Sequence, residues 1–460
     1  MVGKQFEFED QRDGIVPPLE EKKVVDEVYT DNDVASEEIV KDWDDKEEGK
    51  LRRKIDIILI PILALAFFGL QIDRGNISAA LTSTITEDLG VTTNQINIGT
   101  QLLSAGIVIT EIPSNIILQR IGPQVWLSAQ LIAWGLVGTF QAFVQSYPAY
   151  LATRLLLGLL EGGFIPGALY YLSTWYKRPE TSFRTTLFFY GQMFAGATSS
   201  LISAGLLKLD GKCELAGWRW IFLVEGLITI FAAILFILFI PKKAGDGSPL
   251  ISMGRWSYFS PREKRIILDR VLLDDPLKTR EHIKITGRDI WKTVTQTTTL
   301  QHMLITLVAM SGFQGLNTYT PSMIKSFGFS AVRANALASV PVYASIVWTT
   351  ILAYSSDKIG HRGPFVLLCI TWNVISVLNV GWLSFYCKTP QERSISMALI
   401  VMSANLSGIS GAQIFRSSDA PLYIHGLTAI CALAAASWVQ TLVLNLQYLF
   451  RRKKTQAGTV

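Results

Sequence analysis

From residue 51 onward the chain repeats one pattern, runs of about 20 or more mostly apolar residues separated by short polar turns. A bilayer core about 30 Å thick needs about 20 helical residues, so each run predicts one crossing helix. Span 1 begins at Ile55 and continues into LQIDRGNISAAL; five more follow at about 94–118, 123–143, 148–174, 183–207 and 218–240. Spans resume at about 300–325, 333–355, 363–387, 394–416 and 425–450. Between the two series, residues 241–298 hold 12 Lys/Arg and are too long and too charged to cross. Within them SPREKRIILDRVLLDD opens with Ser260, Pro261 and Glu263, an N-cap, a first-position proline and a capping-box glutamate. That pattern predicts an amphipathic helix lying on the cytoplasmic membrane surface.

Composition agrees with the periodicity. The chain is 49% hydrophobic and 17% charged, against about 25% charged for a soluble protein. Residues 1–50 carry 17 Asp/Glu against 7 Lys/Arg, a net of −10, so the rest of the chain carries +15. Residues 1–54 therefore read as a disordered acidic tail. LRRK (Leu51 to Lys54) before span 1, Arg120 after span 2, and Lys177, Arg178 and Arg184 after span 4 place those turns in the cytoplasm by the positive-inside rule. The turn after span 1 has Glu87 and Asp88 with no Lys or Arg. The expected topology is thus a cytoplasmic N-terminus on a multi-pass protein, most simply in the plasma membrane. Cys213, Cys369, Cys387 and Cys431 show no metal or disulfide spacing, and basic residues lie in loops without interleaved aromatics, which excludes nucleic-acid binding. No P-loop, zinc-ligand cluster or nucleophile elbow is present, which argues against an ATP-driven pump and against an enzyme.

The chemistry gathers in span 4. LATRLLLGLLEGGFIPG carries Arg154 and Glu161 seven residues apart, hence on one helix face about two turns apart. Ionisable groups at membrane depth cost about 3 kcal/mol each on insertion scales and persist where they face a bundle interior, a cavity or each other. Gly158, Gly162, Gly163, Pro166 and Gly167 add close packing and bending. Asp73 and Arg74 form a second charged pair in span 1, near the outer membrane edge unless the helix continues through NISAAL; the plainer alternative there is an interfacial charge pair, and for Arg154 and Glu161 a static ion pair tying two helices. Tyr190, Gln314, Asn317 and Tyr319 are candidates to line a cavity. Gln119-Arg120-Ile121-Gly122 after span 2 echoes Asp357-Lys358-Ile359-Gly360 after the second span of the second series, which suggests two repeated halves.

Several motifs together resemble the major facilitator superfamily and, within it, the anion:cation symporters of the fungal allantoate permease-like branch. AYSSDKIGHRGP is similar to the superfamily's short cytoplasmic gating motif, here Asp357, Lys358, Gly360 and Arg362. IDRGNISAA, ITEIPSNIILQRIGP, RLLLGLLEGGFIPGALYYLSTWY, GWRWIFLVEG, RVLLDDP and SSDAPLYIHG are similar to that branch, over about 52–450. The resemblance implies an all-α fold of two six-helix bundles and proton-coupled uptake of a small organic anion such as allantoate, nicotinate, pantothenate, biotin or a sulfonate. IDRGNISAA is similar to bacterial sugar-acid symporters as well, and that likeness implies that Asp73 and Glu161 take the proton, that Arg74 and Arg154 hold the anion, and that Gln192 and Asn405 contact it, the alternative for these two amides being hydrogen bonds from helix to helix. Glu111 and Glu225, in family motifs at span ends, read as structural, bonding backbone or an arginine. The expected cofactors are none beyond the coupling proton, with no metal, and the expected state is a monomer in the lipid bilayer. The domains read as 1–54 tail, 55–240 first bundle, 241–298 linker, 299–450 second bundle and 451–460 basic cytoplasmic tail.

The second half departs from the family pattern. Between Arg362 and Lys388 the family has two spans, and residues 363–387 suffice for one. Either a helix is missing, the reading preferred here, or 363–387 forms a re-entrant hairpin; the count is about 11 spans. The rival functions are a nutrient receptor without net flux, which the acidic tail would serve, and an inactive carrier product lacking one helix.

Overall fold

A computed structural model describes residues 41–252, 255–274, 287–359, 390–411, 413–414 and 424–457. The described residues from Trp43 onward form one compact unit. Its first series of helices is α1 (Asp45–Ala80), α2 (Thr93–Ile121), α3 (Pro123–Phe140), α4 (Tyr147–Glu161), α5 (Phe164–Ser173), α6 (Arg178–Leu206) and α7 (Gly217–Phe239). The linker contributes α8 (Pro261–Asp274) and α9 (Gly287–Val294). The second series is α10 (Thr297–Ser326), α11 (Ala331–Ile359), α12 (Pro390–Gly411) and α13 (Ile424–Ala457). The 363–387 question, Gly360 and Arg362 lie outside the described residues.

Among the described residues, five helical stretches are long and apolar enough to cross a bilayer alone: α1, α2, α4 with α5, α7, and the part of α13 from His425 to Tyr448. Large apolar side chains such as Ile57, Ile109 and Phe231 stand exposed on these helices, and Phe140 and Val347 on α3 and α11, as lipid contact requires. Within the first half α1 packs on α6 and α7, α3 on α7, and α2 on α4. Across the halves α1 meets α10, α2 meets α12 and α6 meets α11. The short α5 also touches α12, so among the described residues the halves face each other through four helix pairs.

Two expectations are corrected at the N-terminal end. The tail predicted to stay disordered to residue 54 is helical from Asp45, because Asp44 caps the helix, accepting from Glu47 N–H at 2.6 Å. The linker helix α8 also does not rest on lipid with its apolar face. Ile266 and Ile267 join the core that holds Leu51, Ile55, Trp175 and Tyr176, so protein covers that face.

Ion pairs fasten α8 there. Lys54 Nζ donates to both oxygens of Glu263 at 2.9 and 3.0 Å, and Arg262 pairs with Glu47 at 2.9 Å. The wholly buried Arg270 donates to the Trp175 carbonyl at 2.8 Å and pairs with Glu180 at 3.3 Å. Partial burial raises the Glu263 carboxyl, but the bonds from Lys54 and from Ser260 outweigh it and hold the group below its usual 4.5. A carboxyl lowered in the fold contributes stability above its unfolded value and loses it as pH falls through the folded one. Acidification below about 4.5 should therefore loosen α8, read as faster proteolysis of 261–274. Glu263→Gln should cleave at the acid rate at neutral pH, and a pH-independent rate in the parent would rule the latch out.

Candidate functional site

The site is built on an interrupted helix. α4 ends at Glu161, and Gly163 stands at φ +82°, a conformation open to glycine at little cost, before α5 begins. Breaking a helix inside lipid frees backbone groups that need partners. Glu111 Oε2 accepts from Gly163 N–H at 2.9 Å, while Gln130 Nε2 donates to the carbonyls of Leu160 at 2.9 Å and Gly162 at 2.8 Å. Glu111 thus bonds backbone, as its structural reading expects; Gln130 was not singled out in the sequence. At Gly158 a Cβ would sit 2.1 Å from Leu103 O, so this glycine lets α4 lie directly against α2.

The break delivers Glu161, whose side chain is wholly buried, to Arg74 on α1: Arg74 Nε donates to Glu161 Oε2 at 2.7 Å. The Arg74 side chain remains 20% exposed, and its Nη1 donates to Asn405 Oδ1 on α12, in the opposite half, at 3.3 Å. Asn405 Nδ2 donates to the Val401 carbonyl at 2.8 Å, which sets the amide so that its oxygen faces Arg74. One guanidinium therefore ties a buried carboxylate of the first half to an amide of the second.

The neighbouring charges go elsewhere. Consecutive helix positions point about 100° apart, so Asp73 turns away from Arg74. It is buried in the first half, where Thr229 Oγ1 on α7 donates to Asp73 Oδ2 at 3.0 Å. Arg154 is buried, with Tyr150 and Phe222 rings 5.4 and 5.3 Å from its guanidinium, and donates to Asn76 Oδ1 at 3.3 Å. The guanidinium paired with Glu161 is thus Arg74 and not Arg154. Glu225 accepts from Ser199 and Ser203 hydroxyls at 3.3 and 3.1 Å, which are neither backbone nor arginine.

The remaining candidates scatter. Tyr190 and Gln192 are half-buried on α6, and Tyr190 packs edge-on to Phe194. Asn317 is exposed on α10, its carbonyl accepting from Ser78 at 3.2 Å. Gln314 lies on the same helix, and Asp357 and Lys358 in the last turn of α11; their side chains are outside the described residues.

Past Arg74, at the C-terminal end of α1, polar bonds join the two halves. Ser78 donates to Thr318 O at 2.8 Å and Lys325 to Thr82 O at 2.7 Å; Asn335 reaches Thr82 Oγ1 at 3.0 Å and Tyr319 reaches Asn97 Oδ1 at 2.6 Å. The halves are thus tied together at that end, one to two turns beyond the Arg74–Glu161 pair.

The comparisons with known proteins agree with this architecture. The model of the Major Facilitator Superfamily matches residues 63–421. A putative tartrate transporter of Agrobacterium vitis is 28% identical over 86% of this chain and 81% of its own length. An uncharacterized transporter of Saccharomyces cerevisiae is 25% identical over 89% of this chain and 82% of its own. Among solved structures, the nucleoside transporter NupG aligns with a TM-score of 0.58 at 10% identity, over 84% of this chain and 99% of that one. The proton:xylose symporter XylE aligns at 0.54 with 15% identity, over 87% and 89%. At such identities these two likenesses establish the fold alone. The chain is a multi-pass membrane transporter, not an enzyme, and it belongs to the Major Facilitator Superfamily.

Proposed function

We propose that the chain carries a small organic anion, a carboxylate or sulfonate, into the cell together with one or more protons, by alternating access. The observation that supports it most is the Arg74–Glu161 pair, 2.7 Å long, buried on the acid side and partly open on the guanidinium side. An anion reaching Arg74 competes with Glu161 for the same donors. A carboxylate stripped of its guanidinium in an apolar interior is costly as an anion, and binding a proton removes that cost. Solute and proton then favour each other by about 1–3 kcal/mol, the ordinary range of such couplings. Asn405 senses the event in the opposite half, and Arg154 supplies a second positive charge. The likeness to putative tartrate transporters fits a dicarboxylate among the candidate solutes. The plasma membrane, a cytoplasmic N-terminus and a monomer complete the reading.

The test is uptake of radiolabelled tartrate, then nicotinate, pantothenate, biotin, allantoate and taurine, by vesicles holding the full chain under an inward proton gradient. Accumulation that a protonophore abolishes is expected for at least one of them. Uptake indifferent to the gradient would remove the proton from the cycle.

A further inference from the structure

We propose that Asp73 and Glu225 share one proton at a site inside the first bundle, apart from the Arg74–Glu161 junction, so that Glu225 is a proton-binding residue rather than a packing one. The inference deepens the proton-coupled reading and rests on it for its role in transport, though not for its geometry.

Both side chains are fully buried, and each keeps one oxygen, Asp73 Oδ1 and Glu225 Oε2, without a hydrogen-bond partner among the described residues. Glu225 lies one turn before Thr229 on α7, and Thr229 bonds Asp73, so the two carboxylates are neighbours across the α1–α7 contact. No salt bridge among the described residues reaches either of them. The charged groups facing Asp73 from α4 are Glu161 and Arg154. Glu161 holds Arg74, and Arg154 is bonded to Asn76 beneath two aromatic rings. From α6 the hydroxyls of Ser199 and Ser203 face Glu225. From α3 the backbone closes in: a Cβ on Gly138 would sit 3.5 Å from both Asp73 oxygens. Two neighbouring anions in such a place are unfavourable by desolvation and by mutual repulsion, and a single positive charge held between them relieves both.

That charge is a proton on the hydrogen-bond evidence. Ser199 and Ser203 both donate to Glu225 Oε1, the pattern expected where Glu225 is the anion. Thr229, one turn further along α7, has its single hydroxyl 3.3 Å from the Gly69 carbonyl and 3.0 Å from Asp73 Oδ2. One hydroxyl proton serves both acceptors, so Asp73 has a share of a single donor where Glu225 has two, and the proton of the pair rests on Asp73. A hard metal cation asks for about six oxygen ligands, and here the hydroxyl protons already point at oxygens, leaving two unpartnered atoms. The step is proton binding to, and release from, a carboxyl oxygen, with no other bond changed.

The experiment is infrared spectroscopy of the purified full chain in choline chloride, reading the protonated-carboxyl stretch at acid and alkaline pH. The parent should keep one such band into alkaline buffer. Asp73→Asn and Glu225→Gln should each remove it there, and the double variant should remove no more than either single one, since one proton is shared. Ser203→Ala, which keeps both acids, should shift the band in position even where a carboxyl variant fails to fold. A band untouched by all of these, or losses that add in the double variant, would overturn the shared site; so would loss of the band when sodium replaces choline, which would make the occupant a metal ion. Tartrate uptake separates the two readings. Proton-driven uptake in the parent with a band that Glu225→Gln does not move defeats the shared site alone. Uptake without proton dependence defeats the coupling reading alone, while the band still decides the pair.

Discussion

Glu161→Gln abolishes proton-driven accumulation of the solute and leaves exchange of solute for solute partly intact. The reason lies in what the substitution removes. The introduced amide keeps an oxygen to accept from Arg74 Nε, now 2.7 Å from the carboxylate, so the break between α4 and α5 and the tie to Asn405 have no cause to collapse. What is lost is the negative charge that competes with the solute for Arg74 and the oxygen that takes the proton when the solute wins. Without it, the coupling of about 1–3 kcal/mol between solute and proton disappears, and a proton gradient no longer drives uptake. Exchange needs only solute binding and the rocking of the halves, so it continues at a reduced rate. Vesicles loaded with unlabelled solute measure exchange, and vesicles under an imposed gradient measure accumulation. Equal loss of both would remove Glu161 from the coupling role and reduce its pairing with Arg74 to architecture.

Much of this arrangement could be read from the residues, and the remainder needed the third dimension. Among the described residues, helices stand where apolar runs of sufficient length predict them, because in lipid the backbone has few other ways to satisfy itself. Arg154 and Glu161 were recognisable as functional because ionisable groups so deep in apolar runs are costly. Their pairing was not recognisable. Seven residues at 1.5 Å each separate them by about 10 Å along one face, too far for a direct bond, and the real partner of Glu161 lies 87 residues away on another helix. Asn405, 331 residues from Arg74, matched a family contact position, yet its bond to that guanidinium emerged only from the packing of the halves. At the N-terminal end the signal was present and outweighed. Asp44 followed by Glu47 at the third helical position is a capping pattern, but the acidic composition around it pointed to disorder. Arg270 sits three and four residues after Ile267 and Ile266, on the apolar face of α8, and a buried arginine on such a face signals a protein partner rather than a lipid one.

That arginine carries the second large effect. Arg270→Met should lower the stability of the detergent-solubilised protein by about 3 kcal/mol, the lower end of the cost of breaking a buried ion pair. The guanidinium is wholly buried and donates to the Trp175 carbonyl at 2.8 Å, with Glu180 at 3.3 Å and Glu48 at 3.7 Å. Removing it strands a buried backbone acceptor and two carboxylates whose side chains are 11% exposed. The penalty stays at the low end because Glu48 keeps Lys177 at 2.5 Å and Glu180 keeps Arg52 at 3.3 Å. Arg270→Lys should recover little, since one ammonium cannot span a carbonyl and two acids as a planar fork does. Thermal unfolding reads the loss, and a change below about 1 kcal/mol, the usual worth of an exposed pair, would show that α8 rests on the bundle without fastening it. The fastening matters to transport because the acids that Arg270 binds sit on α1 and on the first turn of α6, the two helices that meet α10 and α11 of the opposite half. With α8 locked to both, the first bundle and α8 should move as one body in the proposed alternating access. In the proposed cycle the Arg74–Glu161 pair, carried on α1 and α4 of that body, changes its exposure with the rocking, and it is the solute that parts the two side chains.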